Sequence, residues 1–372
     1  MKDSLVSFIL PNLHGGGAER VALNLANHWL GLGLNVEVVL MQGTGDLLGA
    51  TDPRLSLISL NSSRIRESII PLRSYFLVRR PTVAIASMWP LTSAAVFAWL
   101  LAGRPGSLFV QDHTHLSTSC VLELQINPRF LSFIMSTTYR FATGVLAVSD
   151  GVKQDLCHLS GLSPSRVQVI YNPVVNRSDT SIPDIPISKA KLFGDDSCKI
   201  VLAVGSFKAQ KNFALLIRAF SMLPPDLNAR LVILGDGPLR SQLEDLIHKL
   251  DLSQLVYLPG FTLNIKSWYC LANLFVLSSS WEGFANVIAE SLGFGVPVVS
   301  TDCKSGPAEI LDHGRFGTLV PVNNALSLAN AIQESLIKPH DYDSLRRRGQ
   351  DFSISKIADQ YLNFFRQKSI LL

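Results

Sequence analysis

Short apolar runs recur along the chain, each followed by a small or polar turn. In the first half they are Ser4–Leu10, Asn35–Leu40, Ser56–Leu60, Val83–Ala86, Ser107–Val110, Gly144–Val148 and Val167–Tyr171. In the second half they are Lys199–Val204, Leu231–Leu234, Val256–Phe261, Leu274–Leu277 and Pro297–Ser300. Helical patterns lie between them. Val21, Leu23, Leu25 and Leu30 mark an apolar helix face that stops near Gly33, and Asn212–Leu223 and Ala325–Ile337 read as helices too. Strands alternating with helices predict a parallel, doubly wound α/β sheet, with ligands at the carboxyl ends of its strands.

The chain has 372 residues, too long for a typical single core, so two domains are expected. Asn176–Ser188 is rich in Pro, Ser, Asp and Asn and makes the best linker. The first domain then covers 1–174 and the second begins at 175. A hydrophobic content of 47% excludes a disordered chain. The net charge of +4 is too weak to imply a nucleic-acid partner. A mean hydropathy of +0.27 is high, which suits large buried sheets or a membrane-touching face. The five cysteines are sparse, with no Cys-x-x-Cys, so neither a disulfide framework nor a zinc site is expected, and a reducing cytoplasm fits. Asp3 breaks the first apolar stretch and Pro11 ends it, against a signal peptide. Met88–Gly103 is the most apolar helix candidate but falls short of the ~20 residues of a comfortable span, so it reads as a buried helix.

The chemistry concentrates in Ser279–Asp302. An apolar strand, Leu274–Leu277, enters a turn holding Glu282 and Gly283; a helix starts near Ala285 and stops at Gly293 and Gly295; a second strand follows. In this βαβ unit Glu282 and Glu290 frame the helix start. Eight residues at helical rise span roughly 12 Å, about the reach from ribose to sugar in a nucleotide diphosphate sugar. First-turn amides between them suit a pyrophosphate. A solvated Glu at each end of a helix is the plainer reading of the two carboxylates alone. Near the N-terminus, Gly15, Gly16 and Gly17 follow the first strand and open a helix through Glu19 and Arg20. That geometry offers amides to an anion, although the Gly-x-Gly-x-x-Gly spacing of a dinucleotide site is missing.

Together these stretches resemble glycosyltransferase family 4. The Glu282-x7-Glu290 frame, Gly283-Phe284-Ala285-Asn286-Val287, Gly295-Val296-Pro297-Val298-Val299-Ser300-Thr301-Asp302 and the Gly-Gly-Ala-Glu-Arg loop carry the resemblance. It implies a GT-B fold, two Rossmann-like domains facing each other across a cleft, with the second domain over 175–354 and a last helix near 355–372 packing back on the first. It implies donor binding by Gly16, Gly17, Ser206, Lys208, Lys211, Gly235, Gly283, Phe284, Ala285, Asn286, Val287 and Glu290. Lys211, Glu282 and His113 carry the chemistry, and Gly15, Glu19, Arg20, Asp112 and His113 lie on the acceptor side. Ser206 stands where the family usually has Arg; Lys208 compensates as a point charge, without the bidentate fork. Ser149 and Asp150 match the family's helix start and read as an N-cap.

The implied reaction is retaining transfer of a hexose or N-acetylhexosamine from a UDP-sugar to a saccharide or lipid-linked saccharide, for surface polysaccharide or lipopolysaccharide assembly. No cofactor and no metal is expected. A metal-dependent transferase would carry Asp-x-Asp at a strand end, and Asp341-Tyr342-Asp343 reads better as a helix cap. Front-face and double-displacement routes both stay open. An epimerase sharing the fold and a non-catalytic nucleotide-sugar-binding protein are the rivals; Ser206 favours the latter. A nicotinamide oxidoreductase lacks its glycine fingerprint here. Arg64–Arg80 and Asn127–Ala142 mix arginines with large apolar residues. Each reads either as an ordinary surface helix or as a contact with the inner face of the cell membrane.

Overall fold

The computed structural model describes residues 4–176, 188–262 and 264–372. The linker expected over 176–188 therefore lies, apart from its two ends, outside the described residues. The chain divides into two units, Met1–Val174 with Ile354–Leu372, and Val175–Ser353.

Unit 1 is built on a parallel sheet in the order β3-β2-β1-β4-β5-β6-β7. Its strands are β1 (Leu5–Leu10), β2 (Asn35–Leu40), β3 (Ser56–Ser59), β4 (Val83–Ser87), β5 (Ser107–Asp112), β6 (Gly144–Ala147) and β7 (Val167–Val169). Unit 2 has the order β10-β9-β8-β11-β12-β13, also parallel. Its strands are β8 (Lys199–Val204), β9 (Ala229–Leu234), β10 (Val256–Gly260), β11 (Leu274–Leu277), β12 (Val298–Thr301) and β13 (Thr318–Val320). The helices of unit 1 are α1 (Gly17–Gly31), α2 (Ile69–Arg79), α3 (Leu91–Leu101), α4 (Leu116–Leu122), α5 (Pro128–Thr138) and α6 (Asp150–Ser160). Those of unit 2 are α7 (Lys189–Phe193), α8 (Phe213–Phe220), α9 (Arg240–Lys249), α10 (Ile265–Leu271), α11 (Asn286–Gly293), α12 (Pro307–Ile310), α13 (Ala325–Ile337) and α14 (Tyr342–Gln350); α15 (Ile354–Gln367) returns to unit 1.

The winding direction of each sheet reverses once, between β1 and β4 in unit 1 and between β8 and β11 in unit 2. A doubly wound sheet opens a crevice outside the strand carboxyl ends at such a point. The central strands are apolar along their length because helices cover both faces. Every residue of β1 and of β11 is buried.

Aromatic packing secures α15 to unit 1. Phe8 stacks on Trp29 with ring centroids 5.6 Å apart, and Trp29 meets the edges of Tyr361 and Phe365 at 6.0 and 6.3 Å. The Gln111 amide donates to the Tyr361 hydroxyl at 2.7 Å. In unit 2, α11 and α14 pack backbone to backbone. A methyl group at Gly349 would lie 2.4 Å from the Gly293 nitrogen, so no larger residue fits there.

Several elements differ from expectation. The helix expected over Met88–Gly103 spans only Leu91–Leu101, because Met88 has φ 73° and the chain turns at Trp89 and Pro90 before the helix starts. Arg64–Arg80 divides into a 3₁₀ turn, Ile65–Ser68, and α2, which has Pro71 in its first turn. The last helix, expected near 355–372, spans Ile354–Gln367, and Ser353 just before it bridges to Val175. α4, α9, α10 and the three-residue β13 are additional. Among the described residues no helix is long and apolar enough to cross a membrane.

Phe365 is fully buried among these rings. Phe365→Ala should destabilise unit 1 by about 3–5 kcal/mol. A urea midpoint within a few tenths molar of wild type would show that α15 is not part of that core.

Candidate active site

The reversal point of unit 2 lies between β8 and β11, and the loops leaving these two strands carry Lys211 and Glu282. After β8 the chain runs through Gly205 and Ser206 to a 3₁₀ turn, Ala209–Lys211. After β11 it runs through Ser278 and Ser279 to Glu282. The Lys211 ammonium meets a Glu282 carboxylate oxygen at 2.6 Å. The Ser279 hydroxyl donates to the same oxygen at 2.6 Å. Glu282 is buried and Lys211 keeps only 18% of its side-chain surface exposed. An ion pair so far from water needs every partner in place, since removing one leaves the other charge uncompensated.

The two loops are laced by backbone contacts. Ser278 Oγ donates to the Lys211 carbonyl at 2.8 Å, the Ser280 amide to the Gln210 carbonyl at 2.8 Å, and Gln210 Nε2 to the Trp281 carbonyl at 3.0 Å. Thr301, at the end of β12, donates to the Ser279 carbonyl at 2.7 Å. Gly205 makes room for the lysine stem: a methyl group there would come within 3.2–3.3 Å of the Lys211 methylenes.

The carboxylates of the Glu-x7-Glu frame are positioned differently from one another. Only Asn286–Gly293 is helical; Glu282–Phe284 is loop, and Ala285 is left-handed at φ 71°. The straight-helix span between the two carboxylates therefore does not apply. Glu290 lies partly exposed in the second turn of α11, and the Tyr269 hydroxyl donates to it at 2.8 Å. Gly283 and Phe284 are buried, while Asn286 and Val287 are half-exposed in the first turn. The Ser305–Gly306 loop closes on this turn so tightly that a methyl at Gly306 would lie 2.2 Å from the Phe284 carbonyl oxygen.

Ser206 and Lys208 are both exposed. The Ser206 hydroxyl donates to the Asp236 carbonyl at 3.3 Å. Gly235, expected beside the donor, has φ 136° and faces protein backbone: a methyl there would lie 2.0 Å from the Gly205 carbonyl oxygen. Its glycine requirement is explained by that loop contact.

In unit 1, Gly15–Gly17 follow β1 at the reversal point, with Gly15 at φ 92° and Gly16 and Gly17 exposed. Glu19 is buried and folds back beneath Gly16, whose methyl would meet the carboxylate oxygen at 2.3 Å. Arg20 is half-exposed. Asp112 ends β5, fully buried. It accepts from the Trp89 amide at 2.9 Å and the Tyr139 hydroxyl at 2.5 Å. Burial raises its pKa to about 6. Its carboxylate thus ties β5 to the turn after β4 and to the end of α5. His113 follows; the residue is partly exposed, yet both ring nitrogens are buried with no hydrogen-bond partner among the described residues. Burial lowers its pKa to about 4. Ser149 caps α6 by accepting from the Val152 amide at 3.2 Å, and Asp341 caps α14 through the Ser344 amide at 3.0 Å.

Ser279, Tyr269 and Tyr139 were given no site role from the sequence, and Thr301 figured there only as a motif position. Ser279 stands three residues before Glu282 in a polar turn and carried a signal; the two tyrosines come from elements without a clear period. Among the described residues no cluster of three His, Cys, Asp or Glu side chains is placed to hold a metal ion.

Residues 15–176 match the family described as Glycosyltransferase Family 4, and residues 184–352 match Glycosyl transferases group 1. The chain is 30% identical, over 95% of its length and 97% of the relative's, to the N-acetylgalactosamine-N,N'-diacetylbacillosaminyl-diphospho-undecaprenol 4-alpha-N-acetylgalactosaminyltransferase of Campylobacter jejuni. It is 27% identical, over 95% and 96%, to the lipopolysaccharide core biosynthesis glycosyltransferase LpsE of Rhizobium meliloti. Its fold is similar to that of Anabaena Alr3699/HepE, solved in complex with UDP and glucose, with a TM-score of 0.82, 20% identity, and 98% and 100% of the two chains covered.

His113 sets a pH signature. Between pH 6.5 and 4 the unfolded ring takes up a proton that the folded ring refuses. Through this group acid weakens the fold, by roughly 3 kcal/mol once pH falls below 4. Asp112 acts oppositely, its contribution present below about pH 4 and lost as pH rises through 6. In His113→Gln the urea stability should fall less between pH 7 and 4 than in wild type. Equal slopes would contradict a buried neutral ring.

Proposed function

The chain belongs to glycosyltransferase family 4, and on that premise we propose that it moves a hexose or N-acetylhexosamine from a UDP-sugar to a lipid-linked saccharide, with retention of anomeric configuration. The observation that carries this reading is the Lys211–Glu282 pair at the reversal point of the unit 2 sheet.

The main chemical task is to stabilise charge on the leaving diphosphate. In this reading Lys211 supplies a positive charge, held in one orientation by Glu282, with its stem in the space that Gly205 leaves open. The first turn of α11 adds the positive end of a helix dipole. A preorganised charge that needs no reorientation when the bond breaks is worth most in a site shielded from water. Ser206 cannot fork onto phosphate as Arg would, so exposed Lys208 gives the second cation. Glu282 orients the sugar hydroxyls and Glu290, fixed by Tyr269, takes the ribose. On unit 1, His113 stays neutral at physiological pH and is available to a sugar or acceptor hydroxyl as donor or acceptor. The reaction runs without a metal ion.

The undecaprenol-linked substrate named for the Campylobacter relative and the lipopolysaccharide role named for the Rhizobium relative support a lipid-linked acceptor. The UDP named for the Anabaena structure supports the nucleotide. A place at the cytoplasmic face of the membrane follows from such an acceptor.

Nucleoside diphosphate release from UDP-, GDP- and ADP-sugars, with a detergent-solubilised membrane lipid extract, tests the reading. Release should be fastest with a UDP-sugar, survive EDTA, and drop about 10²–10³-fold in Lys211→Ala. Full activity in Lys211→Ala, or release abolished by EDTA, would contradict it.

A further inference from the structure

Unit 1 has an outward face of unusual make-up. Among the described residues, eleven of the twenty-one exposed large apolar side chains fall between Ile70 and Phe141. A helix packed on a sheet ordinarily turns polar residues to water. Three helices here turn large apolar residues to water as well.

On α2, Ile70, Arg73 and Leu77 recur at helical spacing along the exposed side, with Ile70 73% exposed. On α3 the exposed line is Phe97 and Leu101, with Arg104 just beyond the helix end. On α5 it is Phe130 and Phe133, flanked by Arg129 and Arg140. These lines belong to one continuous layer. The Arg73 guanidinium donates to the Leu101 carbonyl at 3.3 Å, joining α2 to α3. Ser93 and Thr138 hydrogen-bond at 3.1 Å, joining α3 to α5. The ring of Phe141 lies under both Arg104 and Arg140, 5.7 and 5.3 Å from their guanidinium carbons.

The charge along these helices is predominantly positive. Between 69 and 141 there are six arginines, with Asp112 and Glu123 as the acids. Asp112 is buried, which leaves Glu123 as the exposed carboxylate of the stretch; Glu67 lies just before it. Arg79 pairs with buried Glu37. The other five arginines make no ion pair among the described residues and are exposed.

We propose that this face of α2, α3 and α5 docks unit 1 onto an anionic lipid bilayer. The inference deepens the lipid-linked acceptor reading by naming the surface, and it rests on that reading only for its biological purpose. Exposed apolar side chains with arginines at the ends of each line match the order of the bilayer interface, where chains insert and guanidinium groups stay among the headgroup phosphates. A second copy of this chain fits less well. A two-fold contact would set this basic face against itself, arginine against arginine.

Sedimentation with extruded vesicles tests the surface. The vesicles are phosphatidylcholine alone, or phosphatidylcholine with about one-third phosphatidylglycerol. The full chain should bind the anionic vesicles, release in about 0.5 M salt, and leave phosphatidylcholine vesicles largely unbound. Phe130→Ser with Phe133→Ser, and separately Arg73→Gln with Arg140→Gln, should each weaken binding about tenfold while the thermal melt and UDP-sugar turnover in detergent stay at wild-type values. A wild type that stays in the supernatant with anionic vesicles overturns the proposal, as does binding that both variants retain. Self-association in the ultracentrifuge that the Phe variant abolishes would assign the face to a second copy instead. Vesicle binding does not depend on turnover, so failure of the transferase reading would appear separately, in the detergent assay.

Discussion

A lysine ammonium and a glutamate carboxylate 2.6 Å apart, both mostly shielded from water, set the terms for the second unit. Neither charge is tolerable there alone. The pair therefore requires that the loops after β8 and β11 keep their relative position, and much of the surrounding detail meets that requirement. Ser279 bonds the carboxylate oxygen that Lys211 uses. Ser278, Ser280 and Gln210 tie one loop to the other through the backbone. Glycines at 205 and 235 exist because the lysine stem and a neighbouring carbonyl fill the space where their side chains would be. The pair lies where the winding of the sheet reverses between β8 and β11, the place at which a doubly wound sheet receives a ligand.

The first unit resolves its own buried charge differently. The Asp112 carboxylate accepts hydrogen bonds from Tyr139 and the Trp89 amide, which offset part of its desolvation, and it serves the architecture of the strand ends. His113, one residue on, has no such partners for its ring nitrogens. The contrast separates two adjacent polar residues into a structural member and a candidate for contact with substrate. The α2–α3–α5 layer adds a third feature of this unit, apolar where a soluble helix is polar. Together they give unit 1 a chemical character distinct from the cation-centred site of unit 2.

Much of this was legible in the sequence, and the reasons are local. Strands such as Val83–Ser87, Lys199–Val204 and Leu274–Leu277 are almost continuous apolar runs with sharp ends, so composition and punctuation coincide. The start of α11 at Asn286 and its stop at Gly293 follow from the turn residues around it. Lys211 and Glu282 were visible as motif positions, but their contact is made across 71 residues of chain and needs the sheet to exist first. Tyr269 and Tyr139 went unseen for the same reason: each acts through a hydroxyl whose partner is distant in sequence. Short elements such as α4, α10 and β13 carry too few residues for a period to show. The turn at Trp89 and Pro90 shortened α3 through backbone geometry that an apolar run conceals. At Gly235 the sequence shows only that something approaches closely; the structure shows that the Gly205 carbonyl does so.

The central claim is that Lys211 and Glu282 act as one unit on the donor. A double-mutant cycle on single-turnover sugar transfer, with Lys211→Ala, Glu282→Gln and both together, addresses it most directly. Coupled residues are strongly non-additive, so the double variant should be slower than the worse single variant by less than about threefold. Losses that multiply across the two substitutions would mean that lysine and glutamate act independently, and would contradict the account.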